Sequence, residues 1–127
     1  MRAPAFEHWV KKHNAMVPPD WDVEAYRARV RFFREYHSPT QVAFSKRAGI
    51  PFKAWNNYER GYPLSMRTAL KLRARFADFS IEWLWFGRIG TLQLAFYDAA
   101  VAAGVPQETH KQFERRRDHR DPRPDPG

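Results

Sequence analysis

The chain has no cysteine. Disulfides, thiolate metal sites and cysteine nucleophiles are thereby excluded, and a secreted fold dependent on disulfide staples is not expected. Long uncharged runs are missing as well: no stretch approaches the ~20 apolar residues of a membrane span. The N-terminal MRAPAFEHWVKKHN has no apolar core of the kind a secretory signal needs, so no such signal is expected. A cytoplasmic address is the simplest expectation, although missing cysteine only removes one argument for an oxidising compartment. Acidic residues are nearly missing from one segment. Between His37 and Phe76 the only acid is Glu59.

What is present fits a single globular domain with tails. The chain has 127 residues, of which 43% are hydrophobic, enough to argue against wholesale disorder. The formal net charge is +8, and its distribution is more informative than its sum. The segment 37–76 carries Lys46, Arg47, Lys53, Arg60, Arg67, Lys71, Arg73 and Arg75 against Glu59, a local net of +7. The flanking segments stay close to neutral. Such a concentration is either a solvated basic face or the footprint of an anionic partner, with nucleic acid the sharper reading.

The pattern is helical throughout. Residues 1–19 form an N-terminal arm with Phe6, Trp9 and Val10 spaced as a short apolar turn, closed by Pro18-Pro19. Asp20 is placed to cap a first helix, in which Val23, Tyr26, Val30 and Phe33 make one apolar stripe and Arg27, Arg29 and Arg31 lie off it. Ser38 or Thr40 caps a second helix, which runs to Ala48 and stops at Gly49. Ile50 follows as a buried plug. Pro51 opens a third helix with Trp55 and Tyr58 facing inward, ended by Arg60-Gly61. A fourth starts near Ser65 with Met66, Ala69, Leu70 and Ala74 along one side, and a short, very apolar fifth, IEWLWF, runs from a Ser80 cap to Gly87. Residues 20–90 thus form the main domain. Residues 91–104 form a further helix whose stripe Leu92, Phe96, Ala99 and Ala103 packs on its own bundle or on a partner subunit. Residues 105–127, with prolines at 106, 122, 124 and 126 and alternating charge, read as a disordered tail.

Two short helices joined by a glycine turn, inside a bundle and within the basic segment, make the helix-turn-helix pattern. Ala43, Ser45 and Ala48 supply the small residues needed where such helices touch. The stretch Arg34–Gly61, REYHSPTQVAFSKRAGIPFKAWNNYERG, closely resembles the lambda-repressor-like (Cro/CI, XRE-type) helix-turn-helix family. Members show an arginine, a Ser/Thr-Gln pair opening the second helix, a glycine turn and a Tyr/Ile-Glu-x-Gly ending the third. Arg34, Thr40-Gln41, Gly49 and Tyr58-Glu59-Arg60-Gly61 occupy those places without a gap, and IEWLWFG is similar to the family's closing helix. The resemblance covers about residues 22–87. The sequence departs from it at Ser45, where alanine is usual, and at Pro51 and Phe52, which replace a Ser/Thr cap and a polar residue.

The resemblance implies an all-α, five-helix lambda-repressor-like bundle that binds double-stranded DNA. It assigns Gln41, Arg60 and Arg67 to phosphates. It places Lys53, Asn56 and Asn57 at or beside base-reading positions, where lysine suits guanine and asparagine suits adenine. Phe52 cannot form a bidentate base contact but can touch a thymine methyl. The family positions also imply an ion pair between Arg34 and Glu59, and place Trp55 and Tyr58 in the core.

No other chemistry competes. The histidines at 8, 13, 37, 110 and 119 show no metal-ligand spacing, and Asp20, Asp22 and Glu24 are explained by helix capping. There is no glycine-rich phosphate loop and no nucleophile elbow. Neither catalysis nor a cofactor is expected, and no small-molecule ligand is evident. The run Arg115–Arg117 is balanced by nearby acids and offers at most an additional DNA contact. The expected function is that of a small transcriptional regulator, a homodimer repressing by occupancy of a two-fold operator. The rival is a protein-interaction module such as an antitoxin, using the same fold as a scaffold.

Overall fold

The computed structural model describes residues 21–120, together with His8, Lys11 and Lys12, which are helical; of His119 and Arg120 it describes the backbone alone. The remainder of the N-terminal arm, including Phe6, Trp9, Val10 and Asp20, lies outside the described residues, as do residues 121–127. Among the described residues the protein is all-α, with no strand.

Helix α1 (Val23–His37) is capped by Asp22, whose carboxylate accepts from the Ala25 amide at 3.1 Å. The sequence placed this cap two residues earlier, at Asp20. Tyr26, Val30 and Phe33 are buried as their spacing predicts, whereas Val23 at the head of the stripe is partly exposed. Helix α2 (Gln41–Ala48) begins at Thr40, whose hydroxyl accepts from the Ala43 amide, so Thr40 and not Ser38 is the cap. Gly49 ends α2 at φ 71°, a left-handed conformation that favours glycine. Helix α3 (Phe52–Glu59) turns Trp55 and Tyr58 into the core. Helix α4 (Met66–Arg75) is capped by Ser65, and helix α5 (Ile81–Phe86) by Ser80. The inner face of α4 is Thr68, Ala69 and Leu72. Met66, Leu70 and Ala74, which the sequence grouped with Ala69, are exposed. A stripe read at three- and four-residue steps leaves its centre undetermined by up to a third of a turn, and here tertiary packing places it.

Helix α1 packs on α2, α3 and α5, while α2 packs on α3 and α4. The core between them is aromatic: the Phe33 ring meets Phe44, Phe76, Phe79 and Phe96 at centroid distances of 6.0, 5.4, 5.7 and 6.0 Å. Phe96 belongs to helix α6 (Leu94–Ala102) and also meets Phe32, Tyr36 and Trp83. Of the two dockings left open for this segment, its inward face therefore packs on its own bundle, through Phe96 and Ala100, with Ala103 exposed. Truncation after Gly90 removes a fully buried aromatic ring. It should cost at least about 3–5 kcal/mol, the range for deleting a buried Phe side chain. Thermal melting followed by circular dichroism checks this; an unchanged melting temperature would place α6 outside the core.

Of the segment expected to be a disordered tail, residues 105–120 are described, and they return to the bundle and end in a helix. The Val105 amide donates to the Ala100 carbonyl at 3.1 Å and the Glu108 amide to the Gly87 carbonyl at 2.7 Å, which folds the chain back onto the bundle. Trp83 Nε1 donates to Gln107 Oε1 at 2.8 Å. Helix α7 (His110–Arg120) follows. Thr109 Oγ1 accepts from the Gln112 amide while Gln112 Oε1 accepts from the Thr109 amide, a reciprocal capping box. Arg116 grips Glu108 through two bonds of 2.7 and 3.1 Å and holds its carboxyl below the usual carboxylate range.

Arg29 is buried, although its place off the apolar stripe suggested an exposed side chain. Its guanidinium donates to the Leu84, Pro106 and Trp85 carbonyls at 2.9, 2.9 and 3.0 Å. Two of these belong to the last turn of α5, where carbonyls lack helical partners. Burial pushes the guanidinium down to about 10, so it remains a cation at neutral pH. Gly87 lies beside it at φ 72°; a Cβ there would sit 3.1 Å from both Arg29 Nη1 and Gln107 Cα.

Candidate nucleic-acid interface

Helix α3 presents two unlike faces. Trp55 and Tyr58 point into the core, so at 100° per residue Lys53, Asn56 and Asn57 fall together on the opposite side, with Phe52 at its edge. Phe52 and Lys53 are exposed, and the two asparagines are half-buried. Pro51 at the start of α3 supplies no side-chain cap, so the first-turn amides of this helix receive none from it.

The far end of α3 is fixed by Glu59. Arg34 Nε and Nη2 donate to its two carboxylate oxygens, each at 3.0 Å, in a bidentate pair with side chains only 11% and 8% exposed. Trp55 Nε1 donates to the same carboxylate at 2.6 Å, and Arg27 Nε to the Glu59 backbone carbonyl at 3.1 Å. The carboxylate holds the Arg34 guanidinium above its ordinary value. The one acid of the basic segment is thus consumed internally.

An open groove of about 540 Å³ lies along this joint. The structure brings Gln41, Asn56 and Arg60 together there, beside Arg34 and Glu59. Phe52, Lys53, Asn57 and Arg67 do not line it. Arg27 and Arg31 do, and the sequence reading gave neither a role at the site. Both are paired along α1, Arg27 with Glu24 at 3.3 Å and Arg31 with Glu35 at 2.6 Å, and these three- and four-residue spacings were visible in the sequence.

Arg67 sits in the first turn of α4, whose start is tied to α3. Tyr58 OH and Thr68 Oγ1 are 2.8 Å apart, and Ser65 Oγ donates to Thr68 Oγ1 at 3.0 Å. Three further cations gather where α2 ends. Lys71 Nζ donates to the Gly49 carbonyl at 3.4 Å, Arg75 Nη1 to the Arg47 carbonyl at 3.3 Å, and Arg47 Nη1 to the His37 carbonyl at 2.9 Å. The negative end of a helix dipole favours cations there, and Arg75 packs where a Cβ at Gly49 would lie.

Among the described residues, none of the eight cations of the segment 37–76 is in an ion pair. Seven of them are exposed, and Lys71 is half-buried. The arginines of α1, by contrast, are neutralised by acids or buried against carbonyls. His37 Nε2 lies 2.9 Å from Asp78 Oδ1, and no group of side chains among the described residues could hold a metal ion. No helix there is long and apolar enough to cross a membrane. No protein-family model, curated protein or solved structure matches the chain.

Proposed function

We propose that this protein binds double-stranded DNA, with α2 and α3 acting as a helix-turn-helix and α3 lying in the major groove. The observation that carries the reading is the unspent charge: eight cations on and beside α2, α3 and α4, with the only acid of the segment 37–76 buried against Arg34. Phosphates are the counter-ions such a surface lacks. Lys53, Asn56 and Asn57 face base edges, with Phe52 beside them for a thymine methyl. Gln41, Arg60 and Arg67 hold phosphates on either side of the groove. As a homodimer the protein reads two half-sites about one helical turn, roughly 34 Å, apart, and represses by excluding polymerase from the site.

The two groups of residues should fail differently. Asn57→Ala should cost about 1–3 kcal/mol on a preferred site and relax selectivity at one position, because base edges carry the sequence information. Arg67→Ala should weaken binding to all sequences alike and reduce the salt slope by about 1, because one fewer counter-ion is released. A gel-shift series at several salt concentrations, on a site selected from random duplexes, measures both. Wild-type binding no tighter than that of either variant, or indifferent to salt, would remove the proposal.

A further inference from the structure

Helix α4 carries a second surface that DNA contact does not explain. Thr68, Ala69 and Leu72 face inward, which turns Met66, Leu70 and Ala74 outward at four-residue steps along one line. Met66 and Leu70 are each 57% exposed, although a helix of this length has ample polar residues for its outer face. The line is edged by cations on both sides. Arg73 falls on one flank, Arg67 and Lys71 on the other, and α4 contains no acid. Phosphodiester backbones match the cations but give the apolar line nothing to pack against.

We propose that this face of α4 docks an amphipathic helix of another protein, one with an apolar seam bordered by aspartates and glutamates. Two helices meeting along apolar seams select each other by the charges beside the seam. A second copy of α4 would set Arg67, Lys71 and Arg73 against their own equivalents, and like charges at those positions exclude the pairing. An acidic helix satisfies both features at once: its apolar residues cover Met66 and Leu70, and its carboxylates reach the flanking cations. Arg73 stands alone on its flank, exposed and, among the described residues, in no ion pair.

The test uses the full chain and two labelled synthetic peptides of identical composition. One has a leucine seam edged by glutamates over about four helical turns; in the other the same residues are scrambled so that no seam forms. Fluorescence anisotropy should show the seamed peptide binding at least about tenfold tighter than the scrambled one. Combined Met66→Ser and Leu70→Ser should abolish that advantage with the melting temperature unchanged, since both side chains are exposed. Arg73→Glu should weaken the glutamate-edged peptide, and a peptide with lysines on the edge facing position 73 and glutamates kept on the other should recover part of the loss. Equal binding of the two peptides would show general attraction of acidic chains to a basic protein and overturn the proposal. So would a seam preference untouched by the double variant, or a homodimer in sedimentation that this variant dissolves. None of these readouts involves DNA, so the proposal stands or falls apart from the DNA-binding reading.

Discussion

Replacing Glu59 by alanine should destabilise the protein by about 3–5 kcal/mol, the cost of stranding one member of a buried ion pair. The carboxylate receives three donors, two from Arg34 and one from the Trp55 indole. Its removal leaves a guanidinium that is 11% exposed without its counter-charge, and an indole N–H of a fully buried ring without its acceptor. Glu24→Ala is the control. Glu24 is 75% exposed and bonds Arg27 along the surface of α1, so its loss should cost less than about 1 kcal/mol. Urea melts of the two variants beside wild type measure the difference. Small, equal shifts would mean that the Arg34–Glu59 pair contributes no more than a surface pair. Because Glu59 also anchors the end of α3, the variant that still folds should bind any partner of α3 more weakly than its stability alone explains.

Arg29→Met should be comparably damaging, for a different reason. Methionine preserves most of the buried stem but supplies no donors. The carbonyls of Leu84, Trp85 and Pro106 then lose their partner together. A buried acceptor left unsatisfied costs about 1–3 kcal/mol. Some of that is offset because a cation no longer has to be kept from water. A net loss on the order of 3 kcal/mol remains, enough to lower the melting temperature by roughly 10 °C or more. Arg29→Lys tests the geometry: a compact ammonium cannot reach three carbonyls in the directions a planar guanidinium does, so lysine should rescue only part of the loss. A lysine variant as stable as wild type would show that the positive charge matters and the fork does not.

The elements that were legible in the sequence are those whose signals are local. Thr40, Gly49, Ser65, Ser80 and Gly87 each mark a helix end with a residue whose own chemistry makes the end, and each sits where the structure ends or begins a helix. Trp55 and Tyr58 were readable as core because Lys53, Asn56 and Asn57 lie opposite them, with Glu59 the one charged residue of α3 on the Trp55 side. What was not legible depends on partners distant in the chain. Arg29 lacks the acid three or four residues away that Arg27 and Arg31 have, but its burial is set by the distant carbonyls of α5 and Pro106. Met66 and Leu70 obey the apolar spacing of a core stripe, yet Leu72 and Ala69 take the inner face. The C-terminal segment is a different case. Its prolines and alternating charge suggested disorder; Thr109 and Gln112 form a capping box, a local signal that the reading from composition does not use. For the candidate interface, the residue types and their order were visible, while the convergence of Gln41, Asn56 and Arg60 on one groove required the packing of α1 against α3.

The Arg29 clamp also bears on the order in which the molecule assembles. Its three bonds span 55, 56 and 77 positions of sequence, whereas α2, α3 and α4 are neighbours in the chain. Contacts between near neighbours form early, and closing a long loop comes later because its entropy must be lost before the contact repays it. During synthesis the basic helices therefore leave the ribosome, and can pair with one another, well before Pro106 has been made. The central helix can already pair with α3 through Arg34 and Glu59, whereas its Arg29 clamp closes only when the last third of the chain arrives, so the bundle behind the basic surface is completed by residues that take no part in that surface.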